Sequence, residues 1–460
     1  MNRFKKLWIF IILLLILTIK FAAGYSGEIV NKDEFKVVGY YSGDLFNEPL
    51  EKLQTDKLTH IMYAFLIPSS DGTLVDLEMP EQLKCLVEKA HKDNCKVFIS
   101  IGGWTYKGNY LGTVFEQLAS NDETRRLFID NVIAFTDEYN LDGVELDWEH
   151  PNSDTIGDYE KLVVELNTSL KSEGKELSAA LTGAYSPING IDRSRVITNT
   201  CLENFSFINI MAYDLNESDH SPVWFSEACI GYWRLRGVPK EKVVLGMPLY
   251  AKPSWLQYRH LVAQNPEYAY LDYANTSPLE SYYNGINTLR EKTIIALKRA
   301  GGVMLFDVNE DTNDETSIVS MIDNLLARTD HMTKYELDNY VTVIVDNREI
   351  VFSDVEGLGV PYLNWQKKVM VPMRNYLEAI GATVSYDADN RLATAIIDGT
   401  TIEVPIGKNI ITVNGNDVEM NDSSVVKNDR IYIPVDEFFK ALGYDFKWHE
   451  NTLTAMIKSK

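Results

Sequence analysis

The stretch Leu141–Pro151, LDGVELDWEHP, carries four acidic residues whose spacing could support chemistry. In a β-strand, residues two apart point to the same face, so Glu145, Asp147 and Glu149 form one row of carboxylates. Carboxylates held close together raise one another's pKa, which keeps at least one of them protonated near neutral pH. A carboxylic acid that stays protonated beside an ionised partner is what general acid catalysis requires.

The positions between these carboxylates are apolar: Val144, Leu146 and Trp148. Strict alternation of acidic and apolar residues predicts a strand with one packed face and argues against a solvated edge strand. Asp142, which precedes a glycine at the start of the strand, fits a turn role as well as a catalytic one. We therefore expect Trp148 to be structural and the acidic face to carry the chemistry.

Strand-like and helix-like segments alternate from Phe35 onwards and supply the frame that must position the acidic row. The strand candidates are Lys36–Ser42, Leu58–Ile67, Lys96–Trp104, Asp142–Glu149, Glu176–Ala184, Phe205–Asp214, Lys242–Tyr250 and Gly301–Val308. The helical segments between them include Glu81–Lys92, Glu123–Tyr139, Asp158–Glu173 and Leu279–Arg299. Eight strands, each followed by a helix, predict an α/β fold of the (β/α)8 TIM barrel type.

Active sites in such barrels form at the carboxyl ends of the strands. Glu145 and Asp147 are then expected to point into the upper interior of the barrel, with Glu149 at its rim. About 6–7 Å of backbone rise separates Asp147 from Glu149, which lets the two side chains converge.

The chain has 460 residues, a net charge of −22 and a pI near 4.8. Its length implies two or more domains. A strongly acidic surface repels phosphates, which excludes nucleic acid as a partner and favours a neutral polymer as substrate. The four cysteines, Cys85, Cys95, Cys201 and Cys229, show no metal-ligand spacing, and we expect them to be buried free thiols.

The first 24 residues have the pattern of a secretory signal peptide. Basic residues up to Lys6 precede the apolar run Leu7–Ile19, and small residues follow at Phe21–Gly24. The run is short for a membrane span, although an uncleaved anchor is the alternative. We therefore expect a protein that is secreted or displayed at the cell surface.

Several short motifs in this chain resemble those of one enzyme family, in the expected order. DGVELDWE, which ends at Glu149, matches the DGxDxDxE signature of glycoside hydrolase family 18, the chitinases and related β-N-acetylglucosaminidases. SIGGW (Ser100–Trp104) resembles the third-strand motif of the family, and MAYD (Met211–Asp214) resembles its sixth-strand motif. THIMYAF, GMPLY and GGVML fit the second, seventh and eighth strands. The resemblance defines a barrel domain at residues 35–328.

This resemblance implies substrate-assisted retaining hydrolysis, in which the acetamido group of the sugar is the nucleophile. Glu149 matches the general acid and later base, and Asp147 matches the residue that orients the acetamido N–H. Glu145 occupies the position of an inner acid that shares a proton with Asp147, and Tyr213 matches the tyrosine that holds the acetamido carbonyl. The mechanism needs no metal or other cofactor.

The resemblance and the expected rim positions also suggest contacts with the sugar chain. The candidate substrate-binding residues are Asp214, Met211, Trp104, Phe306 and Tyr40. For Trp104 a core role is the alternative, and for Tyr40 the alternative is a hydrogen bond within the core. Trp224 and Trp255 fall in expected rim loops and are further cleft candidates.

Two positions depart from the family pattern. Glu145 is one methylene longer than the usual aspartate, which puts the inner proton relay in doubt. Phe306 replaces the usual tryptophan beneath the cleaved sugar, so weaker stacking is expected. Lectin-like members lose the glutamate at the position of Glu149, and its presence here favours an enzyme over a sugar-binding relic.

A polar linker at residues 329–339 precedes a segment, residues 340–460, that contains an internal repeat. Val371–Ile397 parallels Ile433–Ile457: each unit has a proline, a short amphipathic helix, a glycine turn and two strands. The segment resembles the copper amine oxidase N-terminal-like domain, but His449 is its one histidine and it has no cysteine, so copper is not expected. Attachment to the cell wall and a stabilising spacer are equally consistent roles.

The sequence as a whole predicts an endo-acting hydrolase of β-1,4-linked N-acetylglucosamine polymers, with chitin as the expected partner. Only about 50 residues separate Tyr250 from Gly301, which by resemblance indicates an open cleft without an inserted wall domain. The alternatives are an N-acetylglucosaminidase of peptidoglycan or spore wall, and a glycan-binding surface protein without catalysis.

Overall fold

The computed structural model describes residues 30–43, 50–352 and 359–459. The chain forms two compact units: Asp33–Ala327 is one, and Arg328–Lys460 with the described residues before Asp33 is the other. The predicted signal segment, residues 1–24, lies outside the described residues. Among the helices in the described ranges, none has both the length and the hydropathy needed to cross a bilayer.

Eight parallel strands close into a barrel in the first unit, which confirms the predicted (β/α)8 fold. They are β1 (Lys36–Ser42), β2 (His60–Leu66), β3 (Lys96–Gly103), β4 (Gly143–Trp148), β5 (Glu176–Thr182), β6 (Ile208–Met211), β7 (Val243–Pro248) and β8 (Gly302–Phe306). Each strand pairs with the next one in the chain, and β8 pairs with β1. The observed β1 has the predicted bounds, and the other strands are shorter than predicted by up to three residues at an end. The aromatic and polar residues that follow their carboxyl ends belong to the loops that carry the site.

Helices alternate with these strands. They span Pro80–Lys92, Leu111–Ser120, Asp122–Glu138, Ile156–Ser172, Asp192–Arg195, Asn199–Asn204, Val223–Leu235, Tyr258–Gln264, Ile286–Arg299 and Ile318–Thr329. The helix predicted from Leu279 begins instead at Ile286, because Ser281–Tyr282 is extended and pairs with Lys252–Pro253 and Tyr273–Ala274. The segment between β7 and β8 therefore contains a short helix and a small antiparallel sheet in addition to the predicted helix.

The side chains of β4 alternate between a packed apolar face and an acidic face, as predicted. Trp148 is buried, stacks on Phe115 at 5.1 Å between ring centroids, and meets Tyr159 edge-on at 5.4 Å. Val144 and Leu146 are fully buried on the same side of the strand. The apolar interior of the barrel is formed by Val38, Tyr40, Met62, Ala64, Phe98, Phe207, Val244 and Met304. The acidic face of β4 joins this interior through the hydroxyl of Tyr40, which donates to Glu145.

The second unit contains the repeat as two strand–helix–hairpin modules. The first module is Val369–Pro372, helix Met373–Ala379, Thr383–Asp387 and Leu392–Ile397; the second is Arg430–Pro434, helix Val435–Ala441, Asp445–His449 and Thr454–Lys458. Further strands span Thr342–Val345, Arg348–Glu349, Tyr362–Leu363, Thr400–Pro405, Ile410–Val413, Asn416–Glu419 and Val425–Lys427. The first strands of the two modules pair antiparallel, with buried Val371 opposite buried Ile433. The segment predicted as a linker contains the short helix Lys334–Asp338.

Replacement of Leu146 by alanine tests the packing of β4. Because Leu146 is fully buried, Leu146→Ala is expected to lower the free energy of unfolding by about 2–5 kcal/mol. Leu235 is 70% exposed, so the matched control Leu235→Ala is expected to change it by less than about 0.5 kcal/mol. Urea unfolding measures both values, and equal losses in the two variants would contradict the described packing.

Candidate active site

Three side chains from three other strands hold the carboxylate of Glu145 at the centre of the barrel. The Tyr40 hydroxyl donates to Glu145 Oε1 at 2.9 Å and Asn209 Nδ2 donates to the same atom at 3.0 Å. The Ser178 hydroxyl donates to Oε2. Burial raises the pKa of Glu145 to about 7, although all three hydrogen bonds favour its ionised form. Both carboxylate oxygens of Glu145 therefore accept hydrogen bonds from side chains of β1, β5 and β6.

Asp147 lies one step further along the same face and is 3% exposed. The residue paired with Asp147 on the adjacent strand β3 is Gly102, whose φ is +120°. A Cβ atom at this position would lie 2.2 Å from the Asp147 carbonyl oxygen. Glycine in the SIGGW motif thus allows β3 to approach the backbone that carries Asp147. Burial raises the pKa of Asp147 well above its ordinary value, and the charges of Glu149 and then Glu145 raise it further.

The Oδ1 atom of Asp147 is buried and has no hydrogen-bond partner among the described residues. A buried acceptor without a donor costs about 1–3 kcal/mol. Such a cost in a folded protein points to a donor supplied from outside the chain. The described residues therefore leave the hydrogen-bonding capacity of Asp147 Oδ1 unused.

Glu149 emerges from β4 towards the rim, with an 18% exposed side chain. Burial raises its pKa to about 7, the charge of Asp214 adds to this effect, and the charge of Arg193 opposes it. His150 Nε2 lies 3.5 Å from Glu149 Oε2. This contact is not an ion pair at neutral pH, because burial and the charge of Arg193 lower the pKa of His150 to about 4. The rim carboxyl is thus poised to hold or release a proton near pH 7.

Aromatic rings line the barrel mouth beside these carboxyls. The Phe306 ring lies 6.1 Å from the Tyr213 ring at 26°, and it meets Tyr40 at 5.4 Å and Tyr250 at 6.2 Å. Burial raises the pKa of the Tyr213 hydroxyl, as do the charges of Asp147 and then of Glu149, so this group remains an O–H donor. The rings give an apolar floor with a hydroxyl donor beside it.

Asp214 follows Tyr213 in the left-handed region, at φ +60°, and is held from the β7 side. The Tyr250 hydroxyl donates to Asp214 Oδ1 at 2.8 Å, and Lys252 Nζ lies 3.2 Å from the same oxygen. The His220 contact with Oδ1 at 3.4 Å is not an ion pair: His220 Nδ1 accepts from the Asp214 N–H, and burial lowers its pKa to about 4.

A fully buried lysine fixes the loop that carries Tyr213 and Asp214. Lys292 Nζ donates to the Ser221 carbonyl at 2.5 Å, to the Ser221 hydroxyl at 2.7 Å and to Asn284 Oδ1 at 2.6 Å. The Ser221 hydroxyl in turn donates to the Ala212 carbonyl at 2.6 Å. Lys292 therefore acts through Ser221 on the backbone next to Tyr213. Nothing in the sequence pattern of the helix Ile286–Arg299 had indicated this role.

Three tryptophans expected near the cleft are exposed. Trp104 is 49% exposed and packs against Tyr110 at 5.0 Å and His150 at 6.2 Å, with the Arg193 guanidinium 5.8 Å from its ring centroid. Trp255 stacks on Tyr250 at 5.5 Å, and Trp224 is also exposed. Each of the three residues keeps about half of its surface or more exposed, so a core role for Trp104 is contradicted.

The structure brings Glu145, Asp147, Glu149 and Tyr213 into one site, with Met211 and Phe306 at the ends of their strands. Tyr40 was expected to bind the substrate, but it is 1% exposed. It therefore positions Glu145 and has no surface for a sugar. Sequence reasoning missed Ser178, Asn209, Tyr250, Lys252, Arg193 and Lys292. The signal for Ser178 and Asn209 was a polar residue at an inward position of an otherwise apolar strand.

Other residues flagged in the sequence lie outside the site. Asp142 accepts from the Val97 N–H at 2.8 Å and contacts His91, so its role is structural. His60 is a core histidine between Phe98 and Phe207. All four cysteines are free, as expected, but Cys85 is exposed while the others are buried. Over the described ranges, no group of three or more His, Cys, Asp or Glu residues could hold a metal ion.

A row of carboxyls at the mouth of a (β/α)8 barrel, beside tyrosine and phenylalanine rings, defines a site of the glycoside hydrolase class. The family model for glycosyl hydrolases family 18 matches residues 36–311, which is more than half of the chain. The protein therefore belongs to glycosyl hydrolase family 18. A second family model, the copper amine oxidase N-terminal domain, matches residues 344–457.

Curated relatives and solved structures resemble the barrel. A probable chitinase 10 of Drosophila melanogaster is 28% identical over 258 residues, 48% of this chain and 11% of the relative. Endochitinase 1 of Metarhizium robertsii is 25% identical over 399 residues, 70% of this chain and 91% of the relative. The structure of the chitinase ChiB of Flavobacterium johnsoniae has a TM-score of 0.56 at 28% identity, covering 64% of this chain and 94% of that one. The chain spans only 11% to 44% of the length of three curated relatives.

Removal of the charge of Asp214 tests the electrostatics at the rim. Because that charge raises the pKa of Glu149, Asp214→Asn is expected to lower the pKa of Glu149 below its value of about 7. Carboxyl NMR titration of protein labelled with ¹³C-glutamate measures the value, with the resonance identified by its loss in Glu149→Gln. The control Glu217→Gln changes an exposed acid on the same loop and should leave the pKa in place. An unchanged value in Asp214→Asn would contradict the described field.

Proposed function

We propose that this protein is an endo-acting glycoside hydrolase that cleaves the β-1,4 bonds of N-acetylglucosamine in polymers such as chitin. The observation that carries the proposal is the pair of Asp147 and Glu149, whose raised pKa values keep protons at the rim near neutral pH. Chitinases among the relatives and structural neighbours support the same substrate class.

In the first step, the sugar to be cleaved lies on the ring of Phe306 with its acetamido group turned towards Asp147. The unpartnered Oδ1 of Asp147 accepts the acetamido N–H, and the Tyr213 hydroxyl donates to the acetamido carbonyl. The carbonyl oxygen forms a bond to the anomeric carbon as the bond to the glycosidic oxygen breaks. Glu149 gives its proton to that oxygen, and an oxazolinium ion remains.

In the second step, water attacks the anomeric carbon from the face that the leaving sugar has left. The ionised Glu149 takes a proton from this water, the oxazolinium ring opens, and the acetamido group is restored. One water is consumed, Glu149 is protonated again, and the product retains the configuration of the bond that was cleaved.

Glu145 has an electrostatic role in this scheme. Because Tyr40, Asn209 and Ser178 donate to both of its oxygens, it is not free to rotate towards Asp147 and carry a proton. Its charge raises the pKa of Asp147 and so keeps a proton on the Asp147–Glu149 pair. The departure from the aspartate of the family pattern thus replaces a moving relay with a carboxyl whose position is fixed.

The segment between β7 and β8 supports cleavage within chains. It contains a seven-residue helix, Tyr258–Gln264, and three two-residue strands before the helix Ile286–Arg299. So short an insertion is consistent with an open cleft that accepts a polymer anywhere along its length.

A second candidate is an N-acetylglucosaminidase of bacterial wall glycan. It is favoured by the cation at Arg193 near the exposed ring of Trp104. The barrel motifs fit both substrates, since both present an acetamido group to the same site.

We further propose that the protein is exported, on the basis of the signal pattern in residues 1–24. The second unit is then proposed to attach the enzyme to the wall or to the polymer. Its match to the copper amine oxidase N-terminal domain does not identify the ligand.

Removal of the proton donor is the decisive substitution. Glu149→Gln is expected to lower kcat on chitotetraose about 10²- to 10⁴-fold and to leave the far-ultraviolet circular dichroism spectrum unchanged. The matched control is Glu217→Gln, which changes an exposed glutamate outside the carboxylate row. Turnover by Glu149→Gln at the wild-type rate would exclude the proposed mechanism.

Product analysis separates the remaining functions. Chitotetraose, its deacetylated counterpart and purified peptidoglycan are incubated with the wild-type protein, and the new reducing ends are identified by mass spectrometry. Cleavage of chitotetraose without cleavage of the deacetylated oligomer is expected. Turnover of peptidoglycan alone would favour the second candidate, and binding without turnover of any substrate would indicate a glycan-binding protein.

A further inference from the structure

One cation stands beside the candidate general acid. Arg193 lies on the short helix Asp192–Arg195 that follows β5, with its guanidinium 5.8 Å from the ring centroid of Trp104. Trp104 in turn lies 6.2 Å from the ring of His150, the residue that follows Glu149. These contacts place Arg193 on the Trp104 side of the carboxyl that donates the proton.

In the proposed mechanism, the leaving-group sugar lies on that side. The sugar under attack occupies the ring of Phe306 between Asp147 and Tyr213, and the glycosidic oxygen lies at Glu149. The next sugar therefore continues past Glu149, away from Phe306 and towards the half-exposed face of Trp104. Arg193 and Trp104 together border this position.

The charge of Arg193 is available to a ligand. No acidic residue in the described ranges forms an ion pair with it, whereas Arg195 on the same helix pairs with Asp192. The field of Arg193 reaches the reacting position, since it lowers the pKa of both Glu149 and His150. The chain has 66 acidic and 44 basic residues, so a cation without an ion pair beside the cleft differs in sign from the charge of the chain as a whole.

A guanidinium binds a carboxylate through two parallel charge-assisted hydrogen bonds, which a neutral sugar hydroxyl cannot match. We propose that Arg193 and Trp104 form the subsite for the leaving-group sugar and that Arg193 selects a carboxylate there. The preferred glycan is then one in which an N-acetylglucosamine precedes a sugar with a 3-O-lactyl group. This inference rests on the proposed hydrolysis and narrows its substrate class. The carboxylate can be that of the lactyl group itself or of a peptide attached to it.

Four tetrasaccharides test this selection. They are chitotetraose, an alternating N-acetylglucosamine–N-acetylmuramic acid tetrasaccharide, its lactyl methylamide, and the same sugar carrying an L-Ala–D-Glu peptide. Assays at about pH 5.5 keep Glu149 protonated with or without Arg193. The wild-type kcat/KM is expected to be ~10-fold or more higher for a carboxylate-bearing glycan than for chitotetraose and the methylamide. A comparison of kcat/KM for the free-acid and peptide substrates shows whether Arg193 selects the lactyl carboxylate or a carboxylate of the peptide.

Arg193→Gln is expected to bring this ratio close to one through KM, and Arg193→Lys to restore part of it, because lysine keeps the charge but loses the paired donors. Arg195→Gln on the same helix should leave the ratio unchanged. A ratio that is the same in the wild type and in Arg193→Gln would overturn the proposal.

Calorimetric titration of the Glu149→Gln variant keeps the test independent of turnover. Tighter binding of a carboxylate-bearing tetrasaccharide than of chitotetraose, lost in the Glu149→Gln/Arg193→Gln double variant, supports the subsite even if no substrate is cleaved. Equal binding of charged and neutral sugars by both variants refutes it. Failure of cleavage with retained Arg193-dependent binding would refute the proposed hydrolysis alone.

Discussion

The cost of burying carboxylates at the end of β4 is the constraint on which the site depends. A buried carboxyl remains ionised only where donors and cations compensate for lost water. Glu145 has three such donors, whereas Oδ1 of Asp147 has none among the described residues. Burial raises the pKa of Glu145 and of Glu149 to about 7 and that of Asp147 well above its ordinary value, and the rest of the barrel mouth is arranged around the protons that this row retains.

The surrounding elements position these carboxyls and shift their pKa values. The backbone of β3 approaches the backbone of Asp147 closely because residue 102 is glycine. Asp214 raises the pKa of Glu149, and Arg193 lowers it. Lys292, which is far along the chain, fixes the loop of Tyr213 and Asp214 through Ser221. Rigid packing on one face of β4, with Trp148 against Phe115, holds the acidic face in place.

Much of this arrangement could be predicted because it follows from periodicity along single strands. The alternation along β4 indicated which residues were acidic and inward and which were packed, and the order of strands indicated the barrel. The partners of Glu145 could not be predicted in this way, because Tyr40, Ser178 and Asn209 come from strands whose relative register is set only by closure of the barrel. Tyr40 was expected to contact the sugar because it lies near the end of a strand. Its burial inside the barrel could not be predicted, because it too depends on closure of the barrel.

The total charge can be read from the sequence, but the positions of individual charges in the fold cannot. The net charge of −22 favoured a neutral substrate, but it says nothing about where the few unneutralised cations lie. Arg193 follows β5 in the chain and meets Trp104, which follows β3, only because the loops of both strands rise at the same end of the barrel. The proposed preference of the cleft for a carboxylate therefore depends on the position of one cation and not on the total charge.

The pH dependence of kcat/KM for chitotetraose tests the central claim most directly, because it reports the proton on the free protein. Since the pKa of Glu149 is raised to about 7, kcat/KM should fall as the pH rises through about 7. A profile that stays level from well below to well above that pH would contradict a buried carboxyl as the proton donor.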